Sequence, residues 1–151
     1  MTQSPKNPSH MIRNLSTLVD LRTTEVERLR SEMAAKESVR DRYQKNLDRL
    51  TGLYQNSGAS GKLPMALASN CGDYKQAVMQ MADSHRLDLN MHEADMAVSQ
   101  RALNAAYVKR EVLDQVLQKK QQAAVHHERA QERKQHDELA TQLWLRSQKP
   151  G

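Results

Sequence analysis

The sequence predicts an all-α fold: a long antiparallel two-helix coiled-coil hairpin whose second helix is longer and overhangs the first. Phe is absent and aromatic residues make up 3% of the 151-residue chain, so the side chains that dominate burial in thick cores are scarce. Good helix formers fill most of the sequence, and Gly58, Gly61 and Pro64 punctuate its one internal break. On both sides of that break, apolar residues recur with a period of 3.5.

The first helix is predicted over residues 11–55, after a flexible tail at 1–10 that contains Pro5 and Pro8. Alternating strides of three and four from Ile12 give an unbroken series in which ten of thirteen positions are apolar. That series is Ile12, Leu15, Val19, Arg22, Val26, Leu29, Met33, Lys36, Arg40, Tyr43, Leu47, Leu50 and Tyr54. This regularity is typical of a coiled-coil seam, along which the stems of the three basic residues can lie while their charges reach water.

The break is predicted as a loop over 56–70, the second helix over 71–147 and a short tail over 148–151. The predicted seam of the second helix is Tyr74, Val78, Met81, His85, Leu89, His92, Met96, Ser99, Leu103, Ala106, Arg110, Leu113 and Leu117. Two strides of four follow each other between Met81 and Leu89. We interpret this irregularity as a stutter that locally relaxes the supercoil.

The two predicted seams can be compared through their residue numbers, because facing residues of an antiparallel hairpin have a constant sum. The pairs Tyr54–Tyr74, Tyr43–His85, Met33–Met96, Leu15–Leu113 and Ile12–Leu117 all sum to 128 or 129. The residues that we assign to holding the seam are Ile12, Leu15, Val19, Val26, Leu29, Met33, Met96, Leu103, Leu113 and Leu117. Seams that interlock along the whole first helix favour a self-contained hairpin.

The same arithmetic leaves the residues from about 118 onward without a partner in the first helix. At about 1.5 Å per residue, this overhang is roughly 45 Å long. It is mostly polar and ends in Leu139, Leu143, Trp144 and Leu145. A lone helix is marginal in water, so an apolar tip on an unpaired helix predicts a docking site for another protein. The alternative is a frayed end with scattered apolar residues.

Charge is distributed unevenly along the chain, whose net charge is +5. Residues 1–54 hold ten basic against seven acidic side chains, residues 55–108 four against five, and residues 109–151 nine against six. The open end of the hairpin is therefore basic, which suits an acidic protein surface, an anionic membrane or nucleic acid. A solvated surface of mixed charge is the alternative. Nucleic acid is the weaker partner, because no stacking aromatics interleave the basic residues.

No motif for catalysis, a cofactor or a metal emerges from the residues. There is no phosphate-binding loop of the Walker type, and His126, His127 and His136 form no closed ligand set on a helix. Cys71 is the only cysteine, which rules out an internal disulfide. The start of the chain lacks the apolar core of a signal peptide, and no stretch approaches the roughly 20 apolar residues of a membrane span. We therefore expect a soluble cytoplasmic protein that is not an enzyme and takes no cofactor, metal or small-molecule substrate.

Three segments give the chain a resemblance to a known family. The first helix ends in Tyr43-x-x-x-Leu47-x-x-Leu50-x-x-x-Tyr54. After the Gly-containing loop comes Ser69-Asn70-x-x-x-Tyr74-x-x-x-Val78-x-x-Met81-x-x-x-His85-Arg86-x-x-Leu89. A stretch rich in Lys, Gln, Glu and Arg follows over 128–140. Together these segments resemble the FliJ family, the small coiled-coil component of the bacterial flagellar export apparatus, over nearly the whole chain.

The resemblance implies two protein contacts. The open end, with the overhang, is expected to enter the hexameric ring of the export ATPase, and the loop end is expected to face the membrane-embedded export gate. To the ring contact we assign Arg13, Lys119, Lys120, Arg129, Arg133, Lys134, Leu139, Leu143 and Trp144. The family's gate-contacting surface maps onto Tyr43, Leu47, Leu50, Tyr54, Tyr74, Val78, Met81 and His85, which also belong to the predicted seam. Export chaperones are further implied partners.

The leading functional hypothesis is a non-enzymatic stalk that links the export ATPase to the gate, in the cytoplasm and peripherally associated with the membrane at the flagellar base. A nearby alternative is the equivalent coiled coil of a virulence type III secretion system. A nucleic-acid-binding coiled coil and a structural coiled coil that self-associates through its overhang are the alternatives from other classes.

Overall fold

Two long helices account for nearly all of the described chain. The computed structural model describes residues 8–56 and 65–149, apart from the side chains of residues 65, 66 and 68. Helix α1 spans Pro8–Asn56 and helix α2 spans Met65–Ser147, and no strand occurs in these ranges. The two helices pack against each other, so the predicted all-α helical hairpin is confirmed.

Both helices begin earlier than the sequence analysis predicts. Helix α1 starts at Pro8 rather than residue 11, and helix α2 starts at Met65 rather than residue 71. Proline suits the first turn of a helix because its fixed φ is already helical and its missing N–H has no partner there. Met, Ala and Leu after residue 64 are good helix formers. Residues 1–7 of the predicted tail and 57–64 of the predicted loop lie outside the described residues.

Contacts divide the chain into two compact units. The central unit contains residues 25–56 of α1 and 65–105 of α2, and the terminal unit contains residues 8–24 of α1, 106–147 of α2 and the following residues 148–149. In the central unit, Tyr43 contacts His85, whereas Lys36, earlier in α1, contacts Asp95, later in α2. This order requires antiparallel packing, and the Tyr43–His85 contact is one that the constant sum predicts.

The core of the central unit is a narrow file of apolar side chains between the helices. Its buried members are Val26, Leu47, Val78, Ala82, Leu89 and Met96. Tyr43 and Leu50 pack against the cluster formed by Leu47, Ala82 and Leu89. Burying a large aliphatic side chain stabilises a fold by about 1.5–3 kcal/mol, so this file is the main source of tertiary stability in the unit.

The seam of α2 differs from the predicted one at two positions. Met81 is 58% exposed whereas Ala82 is 8% exposed. Tyr74 is also exposed, whereas Lys75 is half-buried and its Nζ lies 5.6 Å from the ring centroid of Tyr54. The predicted seam positions Tyr74 and Met81 are therefore wrong. The observed series is Cys71, Lys75, Val78, Ala82, His85 and Leu89. Its strides alternate regularly between four and three, so the predicted stutter is wrong as well.

Helix α1 departs from its predicted seam at Arg40 and at Tyr54, whose side chain is 39% exposed. Arg40 is exposed, and its Nη2 lies 3.1 Å from Oδ1 of Asp41 on the surface. The neighbouring Val39 is half-buried instead. An aliphatic side chain gains more from partial burial than a guanidinium that must keep its hydration, which accounts for the local shift.

The terminal unit has a thinner core. Its buried residues are Val19, Ala106 and Leu117, and the seam residues Ile12, Leu15 and Leu113 are half-buried. From residue 118 to 147, all side chains are exposed except the half-buried Ala124 and Ala130. We call residues 118–147 the overhang.

No described helix combines the length and the hydropathy needed to cross a membrane.

Candidate protein-binding surfaces

A polar layer interrupts the apolar seam of the central unit at Lys36. Its Nζ donates to Oδ2 of Asp95 and to Oγ of Ser99, each over 2.6 Å. Nε2 of His92 donates to the backbone carbonyl of Lys36 over 2.8 Å. The hydrogen bond from Lys36, together with its charge, lowers the pKa of the Asp95 carboxyl. Polar groups within a coiled-coil seam select one register, so this layer determines which residues of α1 and α2 face each other.

The Tyr43 ring lies between two histidines of α2. Its centroid is 5.4 Å from that of His85, edge to face, and 5.7 Å from that of His92. These contacts orient the ring at the edge of the seam. Nε2 of His85 is buried and makes no hydrogen bond to the described residues. An unsatisfied buried nitrogen costs free energy, so His85 is a locally unfavourable point in the seam.

The eight residues that the resemblance maps to the export gate fall into three groups by exposure. Leu47 and Val78 are buried, and Tyr43, Leu50 and His85 are half-buried. Tyr54, Tyr74 and Met81 are exposed. The first two groups hold the helices together, whereas the exposed group is accessible to a partner without any rearrangement of the seam.

Two adjoining grooves make this region of the central unit a concave apolar surface. The first has a volume of about 460 Å³ and is lined by Asn46, Arg49, Leu50, Met81, Ser84 and His85. The second has a volume of about 510 Å³ and is lined by Arg49, Gly52, Leu53, Asn56 and Tyr74. We call the two grooves together the Met81 surface. An exposed apolar surface with a polar rim is typical of a protein-interaction site.

Sequence reasoning missed six lining residues of the Met81 surface, among them Arg49 and Leu53. Arg49 lines both grooves, and Leu53 is an exposed leucine in the second. Neither residue occupies a seam position, so the 3.5-residue period does not single them out. Leu53 lies three residues after Leu50, so the pair would have been found by looking for apolar residues on the flank of the seam.

All nine residues predicted to meet the ATPase ring lie in the terminal unit, and all nine are exposed. Eight of them lie on the overhang, whereas Arg13 lies on α1. Leu139 and Leu143 are one helical turn apart, and Trp144 follows. Trp144 lies 27 residues beyond the last buried seam residue, Leu117, a distance of about 40 Å along a helix. Arg13 and the apolar tip therefore do not form one continuous patch.

Side chains of the overhang donate hydrogen bonds to its own backbone one helical turn earlier. Arg133 donates to the carbonyl of Arg129 over 3.3 Å, and Thr141 donates to that of Asp137 over 2.8 Å. His126, Arg129, Glu132, Arg133 and His136 line a shallow groove along one side. This side carries more positive than negative charge, which suits an acidic protein surface.

Among the described residues, no group of three or more His, Cys, Asp or Glu side chains could hold a metal ion. The described residues offer three contact surfaces: the apolar grooves of the central unit, the basic side of the overhang and its apolar tip.

Comparison with known proteins gives one match. The family model described as "Flagellar FliJ protein" matches residues 11–149, which is nearly the whole chain. No curated protein and no solved structure gives a match. The matched range includes both helices from residue 11 onward, the Met81 surface and the overhang. The chain therefore belongs to the flagellar FliJ protein family, whose members are structural components of the flagellar export apparatus.

Proposed function

We propose that this protein is the non-enzymatic stalk of the flagellar export apparatus and links its ATPase to its membrane gate. In this proposal the overhang docks in the central hole of the hexameric export ATPase, and the Met81 surface contacts the gate protein. Docking promotes assembly of the ring and raises its ATPase activity. The protein acts in the cytoplasm, peripherally associated with the membrane at the flagellar base, and also escorts export chaperones.

The observation that carries the proposal is the exposed apolar tip of the overhang. Leu139, Leu143, Trp144 and Leu145 are all exposed at the end of a helix that α1 does not cover. These four apolar side chains gain little in water, but they would be buried inside a ring. Buried aromatic and aliphatic anchors supply most of the free energy of protein association.

The basic residues of the overhang support the same contact. Lys119, Lys120, Arg129, Arg133 and Lys134 are exposed along the segment that leads to the tip. Exposed charges steer association more than they strengthen it, and salt screens them. We therefore expect ring docking to slow at high ionic strength while the tip continues to supply most of the affinity.

The gate contact is supported by the Met81 surface. Met81, Leu53 and Tyr74 are exposed around two largely apolar grooves. A loop or helix end of the gate that presents apolar side chains would fit these grooves.

The test is the ATPase rate of the flagellar export ATPase, measured with and without this protein. Intact chain should stimulate the rate, and a chain that ends at Gln118 should not. Leu143→Ser with Trp144→Ser should reduce stimulation without changing the far-ultraviolet circular dichroism of the protein. Retained stimulation by the chain that ends at Gln118 would show that the overhang is not the docking element.

The two contacts can serve as controls for each other. Leu53→Ser with Met81→Ser should leave ATPase stimulation intact and weaken pull-down of the purified cytoplasmic domain of the gate. Leu143→Ser with Trp144→Ser should do the reverse. If either pair of substitutions abolishes both interactions, the assignment of separate contacts to the two surfaces is wrong.

A further inference from the structure

The outer side of α2 in the central unit carries a second apolar stripe, separate from the seam. Leu87, Met91 and Val98 are 60%, 66% and 57% exposed. With Ala94 and Ala105, which are also exposed, they follow the same alternating strides of four and three as the seam. Arg101 occupies the one polar position in the series from 87 to 105.

The stripe points away from α1. Each of its positions lies two residues after a seam residue: Leu87 after His85, and Met91 after Leu89. Two residues correspond to about 200° around an α-helix, so the stripe occupies the side of α2 opposite the seam. A surface helix normally has one apolar face and a polar opposite face. Helix α2 has two apolar faces here, and α1 covers only one of them.

The spacing indicates what kind of surface fits the stripe. A scattered set of exposed apolar residues has no period, whereas positions repeated every 3.5 residues form the seam of a further helix. A helix that packs along residues 87–105 would place its own apolar positions between these side chains. The complementary surface is therefore helical and has an apolar stripe of the same period.

The charges beside the stripe restrict the partner further. Residues 87–100 include Asp88, Glu93 and Asp95 and contain neither Lys nor Arg. Asp88 and Asp95 each lie three residues before an apolar member of the stripe, Met91 and Val98 respectively, and so border it on one side. Asp95 already contacts Lys36 of α1, whereas Asp88 borders the start of the stripe, next to Leu87. A matching helix would carry Lys or Arg along this edge.

We infer that the stripe Leu87–Met91–Ala94–Val98 is a docking site for an amphipathic helix of a partner protein, apolar on one face and basic along its edge. The site would add a third helix to the pair α1 and α2. It goes beyond the proposed ring and gate contacts and depends on neither of them. A second copy of this chain fits poorly, because it would bring the same acidic edge with Asp88 and Asp95 instead of the basic edge that complements the stripe.

The experiment uses the full chain and two designed helical peptides as probes. Both peptides carry Leu in a heptad pattern, and their edge positions are Lys in one and Glu in the other. Fluorescence anisotropy of the labelled peptides measures binding. We expect the Lys peptide to bind, the Glu peptide to bind at least about tenfold more weakly, and added salt to reduce the difference.

Substitutions locate the binding. Leu87→Ser with Met91→Ser should lower the affinity of the protein for the Lys peptide by about tenfold or more. Leu21→Ser is the matched control, because Leu21 is an exposed leucine of α1 outside the stripe, and it should leave binding unchanged. Asp88→Lys should lower the affinity for the Lys peptide and raise the affinity for the Glu peptide. All of these side chains are exposed, so thermal melting should be unaffected.

Three results would overturn the inference. Equal binding of the two peptides would show that the stripe has no preference for a basic partner. Unchanged binding to the Leu87→Ser, Met91→Ser protein would show that the peptide binds outside the stripe. Self-association of the chain that is abolished by the same two substitutions, measured by sedimentation, would identify a second copy as the occupant.

Discussion

Nζ of Lys36 on α1 lies 2.6 Å from Oδ2 of Asp95 on α2, and the same ammonium donates to Oγ of Ser99. The Lys36 side chain is more buried than that of Asp95, so the ammonium is partly shielded while the carboxylate reaches water. This pair links the two helices within a seam that is otherwise mostly apolar. Its electrostatic consequence is the lowered pKa of Asp95.

The Lys36–Asp95 pair should make stability depend on pH in the acid range. A carboxyl with a lowered pKa in the folded state contributes stability above its unfolded value, near 3.8, and loses it as pH falls through the lower folded value. Lys36→Met removes the cause of the shift. Urea unfolding at about pH 5 and pH 2 should therefore show a smaller loss of stability in the variant than in the unmodified protein.

Arg28→Met is the control for that measurement. Arg28 forms an ion pair with Glu32 within α1, and both side chains are largely exposed. Exposed pairs of this kind contribute little, so the acid dependence should stay close to that of the unmodified protein. An equal change in the Lys36 and Arg28 variants would mean that the interhelical pair has no specific role.

Leu47 and Leu53 should differ in their contribution to stability although both lie near the end of α1. Leu47 is buried against Ala82 and Leu89, whereas Leu53 is half exposed. Leu47→Ala should lower the free energy of unfolding by about 2–3 kcal/mol, and Leu53→Ala by about 0.5 kcal/mol or less. Chemical denaturation measures both. Similar losses would show that the cluster around Leu47 is not the core of the central unit.

The register of α2 can be tested at two neighbouring residues. Ala82 is buried and Met81 is exposed, so a new carboxylate at 82 would be placed in the seam without a partner. Ala82→Asp should lower the thermal midpoint markedly, whereas Met81→Asp should shift it little. If Met81→Asp lowered the thermal midpoint more than Ala82→Asp, Met81 would belong to the seam and the predicted stutter would be present.

The overhang should exchange its amide hydrogens faster than the rest of α2. Residues 118–147 make no buried apolar contacts, whereas residues 78–117 include six buried residues. Local opening requires little free energy where tertiary contacts are few. Hydrogen–deuterium exchange with mass spectrometry should show early labelling of 118–147 in the free protein and protection once the export ATPase is added. Slow exchange in the free protein would indicate that the overhang already packs on something, such as a second copy.

The helices and the α1 seam were predictable from the sequence because one apolar stripe dominates α1 and Gly and Pro are confined to few places. The α2 seam was harder, since that helix has two apolar stripes. Tyr74 is less polar than Lys75 and Met81 is larger than Ala82, so hydrophobicity alone favours Tyr74 and Met81 at the seam. Spacing favours Lys75 and Ala82, because only they keep the strides alternating through Val78 and His85 as far as Leu89.

The polar layer and the grooves could not be predicted in the same way. The contact between Lys36 and Asp95 depends on side-chain conformations across two helices, which periodicity does not specify. The Met81 surface consists of side chains that lie outside the seam. An error of one residue in the predicted register of α2 therefore assigns Met81 to the core when it lies on the surface. The prediction of the overhang needs no such detail, because it rests on helix length alone.

The overhang has a thermodynamic consequence for any protein that binds it. Since its helix is supported by its own backbone, the fraction of molecules in which residues 118–147 are helical limits the apparent affinity. Substitutions that never touch the partner will then change binding through helix propensity. An exposed Gln135→Gly should weaken association, and Gln135→Ala should strengthen it, with no change in the contacts at the tip. The length and composition of this segment thus act as a regulator of affinity that selection can adjust independently of the interface.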